Sequence, residues 1–345
     1  MLTKKQVKEI KEHLEKSQNP IFFFDNDADG LCSFLLLRRW IDRGQGFPIR
    51  SNLDKRLYRK VKELNADYIF VLDKPIIEND FFEEVYKNNI PLVWIDHHEI
   101  NKSSIPKFVY YYNPVYNKRK SEEPVTFLCY QISKKKSDMW IYLTGCIADG
   151  FIPKESKNFK EKYPDLWIDS KNVFEIFYKS KIGKISRMFN FALKDKYKNV
   201  IKMIHFLIKV KEPTEILEEK PENQLMHKRF KYIEKKIKIL LRKALSAAKK
   251  SDKIIFFKYS GKLSISADLS NELIYRFPNK IVIVVYISQM RANISGRGQN
   301  VKKYIIKAIE NLENSRGGGH ENAVGAQIMA NDIEKFKRNM EALIE

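Results

Sequence analysis

The stretch Ile-Phe-Phe-Phe-Asp-Asn-Asp-Ala-Asp-Gly, residues 21–30, runs from four apolar residues directly into three carboxylates at alternate positions. A short apolar run that follows Pro20 is typical of a buried strand, and the apolar residues after Gly30 are typical of the start of a buried helix. Residues 21–30 therefore predict an α/β unit that carries its acids at the carboxyl end of a strand. Open α/β sheets place their ligands at this edge.

The three acids of this stretch predict a metal site, because neighbouring carboxylates repel each other unless a cation offsets their charge. A calcium loop is one interpretation, since Asp25, Asp27, Asp29 and Gly30 match the first half of the EF-hand pattern. That pattern fails at its twelfth position, where Leu36 stands in place of the bidentate glutamate. A solvated acidic turn is a second interpretation, and the apolar strand before the acids argues against it.

Apolar strands alternate with helical stretches as far as Asp149, which predicts a parallel sheet with crossover helices. Two of these strands end in residue types that bind metals, one in Asp73 and the next in Asp96, His97 and His98. Because parallel strands finish at one edge of a sheet, we expect these side chains to converge with the acids of the first strand. The expected strands are Ile21 to Phe24, Phe47 to Arg50, Tyr68 to Leu72, Pro91 to Ile95 and Phe108 to Tyr112.

A predicted helix, Met139 to Ala148, leads into Asp149 and Gly150. Taken alone, this pattern is typical of a plain helix C-terminus with glycine in the left-handed conformation. Beside the other acidic strand ends, Asp149 becomes a candidate closing ligand of the metal site.

Composition narrows the class of protein. The longest aliphatic runs are far shorter than the roughly 20 residues of a membrane span, and the charged N-terminus lacks the apolar core of a signal peptide, so a cytoplasmic protein is expected. The 3 cysteines are odd in number and lie in apolar surroundings, which predicts reduced packing residues.

A net charge of +21, from 64 basic and 43 acidic residues, favours a polyanionic partner, most simply nucleic acid. An AT-rich genome is the competing explanation, since Lys, Ile, Asn, Phe and Tyr are all abundant.

With 345 residues, the chain is expected to form two or three domains. We predict an α/β domain over residues 1–190 with a helical extension from residue 151, a helical linker over 191–252, and a smaller α/β domain over 253–345. The linker contains one long helix, Gln224 to Lys250, with an apolar stripe and basic residues on its other faces. Two interpretations of the basic faces stay open, a solvated surface and a rail for phosphates.

The C-terminal domain is predicted to hold an anion site. Arg297 follows one expected strand, and Arg316, Gly317, Gly318, Gly319 and His320 come later in the chain. Three consecutive glycines before a helix-like segment expose backbone N–H groups that can cradle an anion, and Arg and His supply further donors. The expected elements are strands Ile254 to Lys258, Leu263 to Ser266, Lys280 to Ile287 and Arg291 to Ser295, a helix from Asp268, and the helix-like segment Glu321 to Ala326.

Together these residues resemble the DHH phosphoesterase superfamily, which is named for the triplet seen here as Asp96-His97-His98. Residues 25–30 are similar to its first motif, residues 72–75 (Leu-Asp-Lys-Pro) to its second, and residues 148–150 (Ala-Asp-Gly) to its fourth. Residues 295–297 and 317–320 resemble the substrate-binding motifs of the DHH-associated C-terminal domain. Within the superfamily the motifs are similar to those of RecJ-like nucleases, and the second motif to that of their compact archaeal members.

The resemblance implies a DNA-repair type of exonuclease that hydrolyses phosphodiester bonds of single-stranded DNA or RNA with two Mn²⁺ ions, Mg²⁺ being the alternative. Carboxylates and imidazole without thiolate agree with that metal choice. His98 is expected to orient the nucleophile or the scissile phosphate, and Asp96 to hold a histidine tautomer. The implied metal ligands are Asp25, Asp27, Asp29, Asp73, His97 and Asp149. The implied substrate-binding residues, facing the metals across a cleft between the domains, are Arg297, Arg316, Gly317, Gly318, Gly319 and His320.

One position departs from the family pattern. Many relatives place a metal-binding histidine two residues before the first aspartate, and this chain has Phe23 there, so Asp25 must supply that ligand or the metal has fewer ligands. Two other functions stay open. One is a small-substrate hydrolase for nanoRNA or 3′-phosphoadenosine 5′-phosphate, and the other is a replication scaffold that binds partners such as the GINS complex.

Overall fold

The computed structural model describes residues 1–248 and 251–344, and the chain divides into two compact units, Met1–Phe230 and Lys231–Glu345. Lys249 and Lys250, which end the predicted long helix, lie outside the described residues. Each unit contains one five-stranded sheet and packed helices, which confirms the predicted α/β class. Within the described ranges, none of the helices is both long enough and apolar enough to cross a membrane.

The sheet of the first unit is parallel throughout. Its strands are β1 (Pro20–Asp25), β2 (Gln45–Ile49), β3 (Tyr68–Leu72), β4 (Leu92–Ile95) and β5 (Tyr110–Tyr112). Their order is β2-β1-β3-β4-β5, and all five lie at the apolar runs that predicted them. Because β1, β3 and β4 are direct neighbours, the carboxyl ends of the three strands that lead into acids lie side by side.

Strand β1 is buried on both faces, which explains its uninterrupted apolar run. On one face Phe23 meets Phe81 edge to face, with ring centroids 5.9 Å apart. On the other face Phe24 stacks on Phe34 at 5.1 Å. Phe34 belongs to α2 (Ala28–Ile41), of which residues 28–37 are all buried. The acidic loop is therefore held between a buried strand and a buried helix.

Helices cover both faces of this sheet and continue beyond it. Cys32, Cys129 and Cys146 are free and buried among them, which confirms them as packing residues. The helices of the first unit are α1 (Lys4–Lys16), α2, α3 (Lys55–Glu63), α4 (Asn79–Lys87), α5 (Val125–Ser133), α6 (Met139–Ala148), α7 (Ser156–Lys162), α8 (Val173–Lys179), α9 (Lys181–Ala192), α10 (Tyr197–Lys209) and α11 (Thr214–Leu217), and the long helix α12 (Gln224–Ala248) begins there.

The second unit has a mixed sheet. Its strands are β6 (Ile254–Ser260), β7 (Ile281–Ser288), β8 (Arg291–Arg297), β9 (Arg316–His320) and β10 (Ala323–Met329), in the order β6-β7-β8-β10-β9. Strands β6 and β7 are parallel, and the other pairs are antiparallel. Its helices after α12 are α13 (Ser266–Arg276), α14 (Val301–Ile309) and α15 (Ile333–Ile344).

Two predictions for the second unit were wrong. The segment predicted as a helix, Glu321 to Ala326, lies in a turn and in strand β10, where Val324, Ala326 and Ile328 alternate as buried residues. The small side chains of Ala323, Gly325 and Ala326 make that period of two hard to see in the sequence. The segment Leu263 to Ser266 is not a strand, because the amide of Ile265 donates to the hydroxyl of Tyr259 at 2.7 Å instead of to a neighbouring strand.

Candidate metal centre

Acidic and imidazole side chains meet at the carboxyl edge of the first sheet. Asp25 ends β1, Asp73 follows β3, and Asp96 begins the triplet that follows β4. The amide of Asp73 donates to Ile95 O at 3.0 Å, which extends the pairing of β3 and β4 into the site. Asp149 arrives from outside the sheet, at the C-terminal cap of α6. The predicted convergence of strand ends therefore exists in the fold.

Among the described residues of the first unit, two clusters of potential ligand atoms form there. Within each cluster, one ligand atom per residue lies within 4.8 Å of the others. His97 connects the clusters, since its Nε2 lies 3.4 Å from Asp73 Oδ1 and its Nδ1 lies 3.9 Å from Asp149 Oδ2. One cluster consists of Asp29, His97 and Asp149, and the other of Asp73, Asp96 and His98.

Asp73 holds a backbone conformation that few non-glycine residues adopt. Its φ is +58°, in the left-handed region, and its side chain is buried. Such a conformation costs on the order of 1 kcal/mol and is found where the surrounding structure requires it. The turn directly after β3 therefore holds the carboxylate of Asp73 in a fixed, buried position.

Asp29 has a structural role that the sequence did not indicate. Its Oδ2 accepts from the amide of Val125 and its Oδ1 from the amide of Thr126, both at 2.8 Å. These are the first two residues of α5, and Pro124 before them offers no capping side chain. Asp29 thus caps a distant helix while lying in the cluster with His97. A helix start without its own capping residue was the available signal.

Asp25 is paired with a lysine. Lys74 Nζ lies 2.5 Å from Asp25 Oδ1 and 3.4 Å from Ile49 O, and Lys74 is only 9% exposed. Trp94 Nε1 donates to Lys74 O at 2.8 Å, which fixes the lysine backbone. Sequence reasoning placed Lys74 in a motif and assigned it no role. Phe23, the position that departs from the expected family pattern, is 1% exposed in the core.

Asp27 lies outside both clusters and caps α2, since its Oδ1 accepts from the amide of Gly30 at 2.9 Å. Burial, together with the charges of Asp25 and Asp29, raises the pKa of Asp27 to about 7. Burial and the same group of carboxylates raise the pKa of Asp73 well above its usual range. The site therefore holds more negative charge than it can stabilise without a cation.

The two histidines have opposite electrostatic environments. Burial, and then the proximity of His98, lowers the pKa of His97, which keeps a neutral imidazole that can bind a metal. Burial also opposes the charged form of His98, but Asp96 accepts from its Nδ1 at 2.8 Å and nearby carboxylates add to the effect, so its pKa rises to about 9. His98 is thus held as a fixed cation by Asp96.

The residues of this centre fit hard divalent cations. Asp96 Oδ2 and Asn26 Oδ1 are buried and lack a hydrogen-bond partner among the residues that the structure describes. Buried oxygens of this kind need a partner, which a bound cation or an ordered water can supply. The donors are carboxylate oxygens and imidazole nitrogens, a set that suits Mn²⁺ or Mg²⁺ better than a thiophilic metal.

The predicted anion-binding residues lie on a hairpin in the second unit. Strand β9, Arg316–His320, is an exposed edge strand, so its glycines form a ladder with β10 and not the predicted loop before a helix. Gly318 faces open space, whereas a Cβ on Gly319, with φ +136°, would lie 2.5 Å from Ala323 O. Arg297 ends β8 and donates from Nε to Asn271 Oδ1 at 2.6 Å. By register, Arg297 and His320 lie at one end of the second sheet, since both pair with Ala323, whereas Arg316 pairs with Gln327 nearer the other end.

Residues 21–150 match the family model described as DHH family, N-terminal domain. The sequence matches no curated protein.

Among solved structures, the chain is similar to RecJ from Thermus thermophilus in complex with Mn²⁺, at 17% identity and a TM-score of 0.74 over 100% of this chain and 55% of that one. It thus spans about half the length of that RecJ, which was also solved with Mg²⁺. An exonuclease RecJ bound to manganese matches at 16% identity and a TM-score of 0.69, over 100% and 95% of the two chains. The DHH domain of a protein described as a member of a family of ribosomal proteins matches at 14% identity and a TM-score of 0.72, over 99% and 89%.

Proposed function

We propose, from the match of residues 21–150 to the DHH family, N-terminal domain model and from the fold shared with RecJ structures, that the protein is a Mn²⁺-dependent exonuclease on single-stranded DNA or RNA. The observation that carries the proposal is the convergence of carboxylates on His97 at the sheet edge, where His97 lies beside Asp29, Asp73 and Asp149. An acidic site in a chain of net charge +21 also fits a substrate that is a polyanion.

Two divalent ions are proposed to bind in this centre. When bound, they would supply a hydroxide at neutral pH and offset charge on the phosphoryl oxygens. The proposed ligands are Asp27, Asp29, Asp73, His97 and Asp149. Asp25 is proposed to stay with Lys74 and to support the loop between β1 and α2.

His98 is proposed to act on the phosphoryl group, and Asp96 is proposed to hold its ring in place. The hydrogen bond from His98 Nδ1 to Asp96 fixes the orientation of the ring. A cationic donor of this kind can hold a scissile phosphate oxygen or orient the attacking water. In the second unit, Arg297, Arg316 and His320 are proposed to bind substrate phosphate together with backbone N–H groups of the glycine strand.

The test is digestion of single-stranded DNA and RNA labelled at the 5′ or the 3′ end, with Mn²⁺ present. Wild type should shorten the strands stepwise, and Asp27→Ala should not. Asp42→Ala is the matched control, because Asp42 ends the same helix α2, is 94% exposed and lies away from the clusters. The label that is released first gives the polarity.

Three outcomes would change the proposal. Equal digestion by wild type and Asp27→Ala would remove the site assignment. Fast cleavage of dinucleotides without cleavage of longer strands would favour the small-substrate hydrolase. Absence of any cleavage by wild type would favour the binding scaffold.

A further inference from the structure

A cavity lies on the first unit, in the segment that follows Asp149. Its volume is about 410 Å³, within the range of small-ligand pockets, and its lining is basic and aromatic. We call it the Trp167 pocket; it is lined by Ile152, Ser156, Lys157, Lys160, Trp167, Asp169, Ser170 and Lys171.

The pocket is tethered to the metal centre by a short, fixed piece of chain. Ile152 lies three residues after Asp149, and three residues span at most about 10 Å. The amide of Phe151 donates to Cys146 O at 2.8 Å, and the Phe151 ring meets Phe127 edge to face with centroids 5.5 Å apart. The pocket therefore begins within one or two nucleotides of Asp149.

Trp167 offers a supported aromatic surface. Its ring meets Phe159 edge to face, with centroids 6.2 Å apart. Phe159 is buried and also contacts Tyr163 at 4.9 Å. A ring that is held in place by a buried neighbour loses little freedom when a base stacks on it.

The pocket has a positive net charge, and only part of that charge is balanced by an acidic neighbour. Lys160 pairs with Asp169 at 2.5 Å, so these two charges offset each other. Lys157 and Lys171 are exposed, and neither has an acidic partner among residues 1–248 and 251–344. Two free ammonium groups beside an aromatic ring suit a phosphate–base–phosphate segment.

From these contacts we propose that the Trp167 pocket binds one nucleotide of a single-stranded nucleic acid, with the base on Trp167 and its flanking phosphates on Lys157 and Lys171. The inference rests on the proposed function, and it names the surface that holds the strand beyond the scissile bond. Stacking tolerates any base, so the pocket adds affinity without sequence preference.

The test is fluorescence anisotropy with a labelled oligothymidylate of about 10 nucleotides, a length in the range that single-strand sites cover. EDTA keeps the strand intact. Trp167→Ala should weaken binding by about 5- to 100-fold, and Trp167→Phe should recover most of it. The slope of log K, where K is the association constant, against log salt concentration is negative. Lys157→Ala/Lys171→Ala should make it less steep by about 1.4, or 0.7 for each phosphate contact.

Matched controls separate a site from general charge. Lys5→Ala/Lys8→Ala removes two ammonium groups from α1 that are 86% and 80% exposed, and it should leave binding unchanged. Inorganic polyphosphate has no bases, so it should displace labelled oligothymidylate from wild type and from Trp167→Ala with the same inhibition constant. Thermal unfolding confirms that each variant is folded.

The proposal fails if both lysine pairs weaken binding equally, or if Trp167→Ala binds oligothymidylate as wild type does. Binding without metal is independent of hydrolysis. If wild type binds the strand but never cleaves it, the proposed exonuclease activity is wrong and the binding pocket is unaffected. If wild type cleaves the strand and the pocket variants bind it normally, only the proposed pocket is wrong.

Discussion

The pair of Lys74 and Asp25 gives a sharp prediction for Lys74→Met, which removes the ammonium and keeps an apolar stem. Lys74 Nζ lies 2.5 Å from Asp25 Oδ1, and the two side chains are 11% and 34% exposed. Removing one partner of a fully buried pair costs about 3–5 kcal/mol. Because water reaches a third of Asp25, we expect the free energy of unfolding of the metal-free protein to fall by about 2–3 kcal/mol.

Metal should reverse this loss. An unpaired Asp25 adds one negative charge to an acidic site, so Mn²⁺ should bind Lys74→Met more tightly and stabilise its folded state. The measurement is urea unfolding in EDTA and again with Mn²⁺. Lys62→Met is the matched control, because Lys62 pairs with Glu84 at 3.1 Å, is 57% exposed, and should cost less than about 1 kcal/mol.

A double variant tests whether the loss of the ion pair causes the lower stability of Lys74→Met. Lys74→Met/Asp25→Asn replaces the charged pair by a neutral one, and it should recover most of the stability that Lys74→Met loses in EDTA. If the double variant is as unstable as Lys74→Met, the ion pair is not the cause. Lys74→Met with wild-type stability in both conditions would also refute the reasoning.

Other predictions follow from single contacts. Asp29→Asn replaces one of two acceptor oxygens at the start of α5, and it should lower the free energy of unfolding by about 1–2 kcal/mol, measured in urea with EDTA. In metal-free protein the pKa of His98 is about 9, above its ordinary 6.5. The contribution of His98 to the free energy of unfolding is therefore complete below pH 6.5 and is lost as pH rises through 9. His98→Gln should remove this pH dependence from the free energy of unfolding. Gly319→Ala should lower the thermal midpoint, because its φ of +136° and a Cβ contact of 2.5 Å strain the hairpin, whereas Gly318→Ala should not. Equal midpoints for the two glycine variants would contradict that geometry.

Sequence patterns predicted those elements whose pattern is local. Strand β3 and helix α6 have the predicted bounds, Tyr68–Leu72 and Met139–Ala148, because apolar runs between polar residues define both. The alignment of acidic strand ends followed from the parallel order alone. Strand β10 was missed because Gly, Ala and Gln weaken the apolar alternation of Ala-Val-Gly-Ala-Gln-Ile, and the strand is defined by its pairing with β8 and β9.

Contacts between distant residues could not be predicted in this way. Lys74 meets Asp25 across 49 positions, and Asp29 caps α5 across 96. Nothing near Lys74 in the sequence indicates which of the many acids it will contact. Such pairs depend on how the strands and helices pack, and that packing exists only in the folded chain.

The most direct test of the central claim is calorimetric titration of the metal-free protein with Mn²⁺, for wild type beside Asp73→Asn and Asp42→Asn. Asp73 lies in the second ligand cluster, whereas Asp42 is an exposed aspartate at the end of α2. We expect wild type and Asp42→Asn to bind two Mn²⁺ per chain, as a two-metal hydrolase requires, and Asp73→Asn to lose at least one. No saturable Mn²⁺ binding by wild type, or the same stoichiometry in Asp73→Asn, would contradict the account.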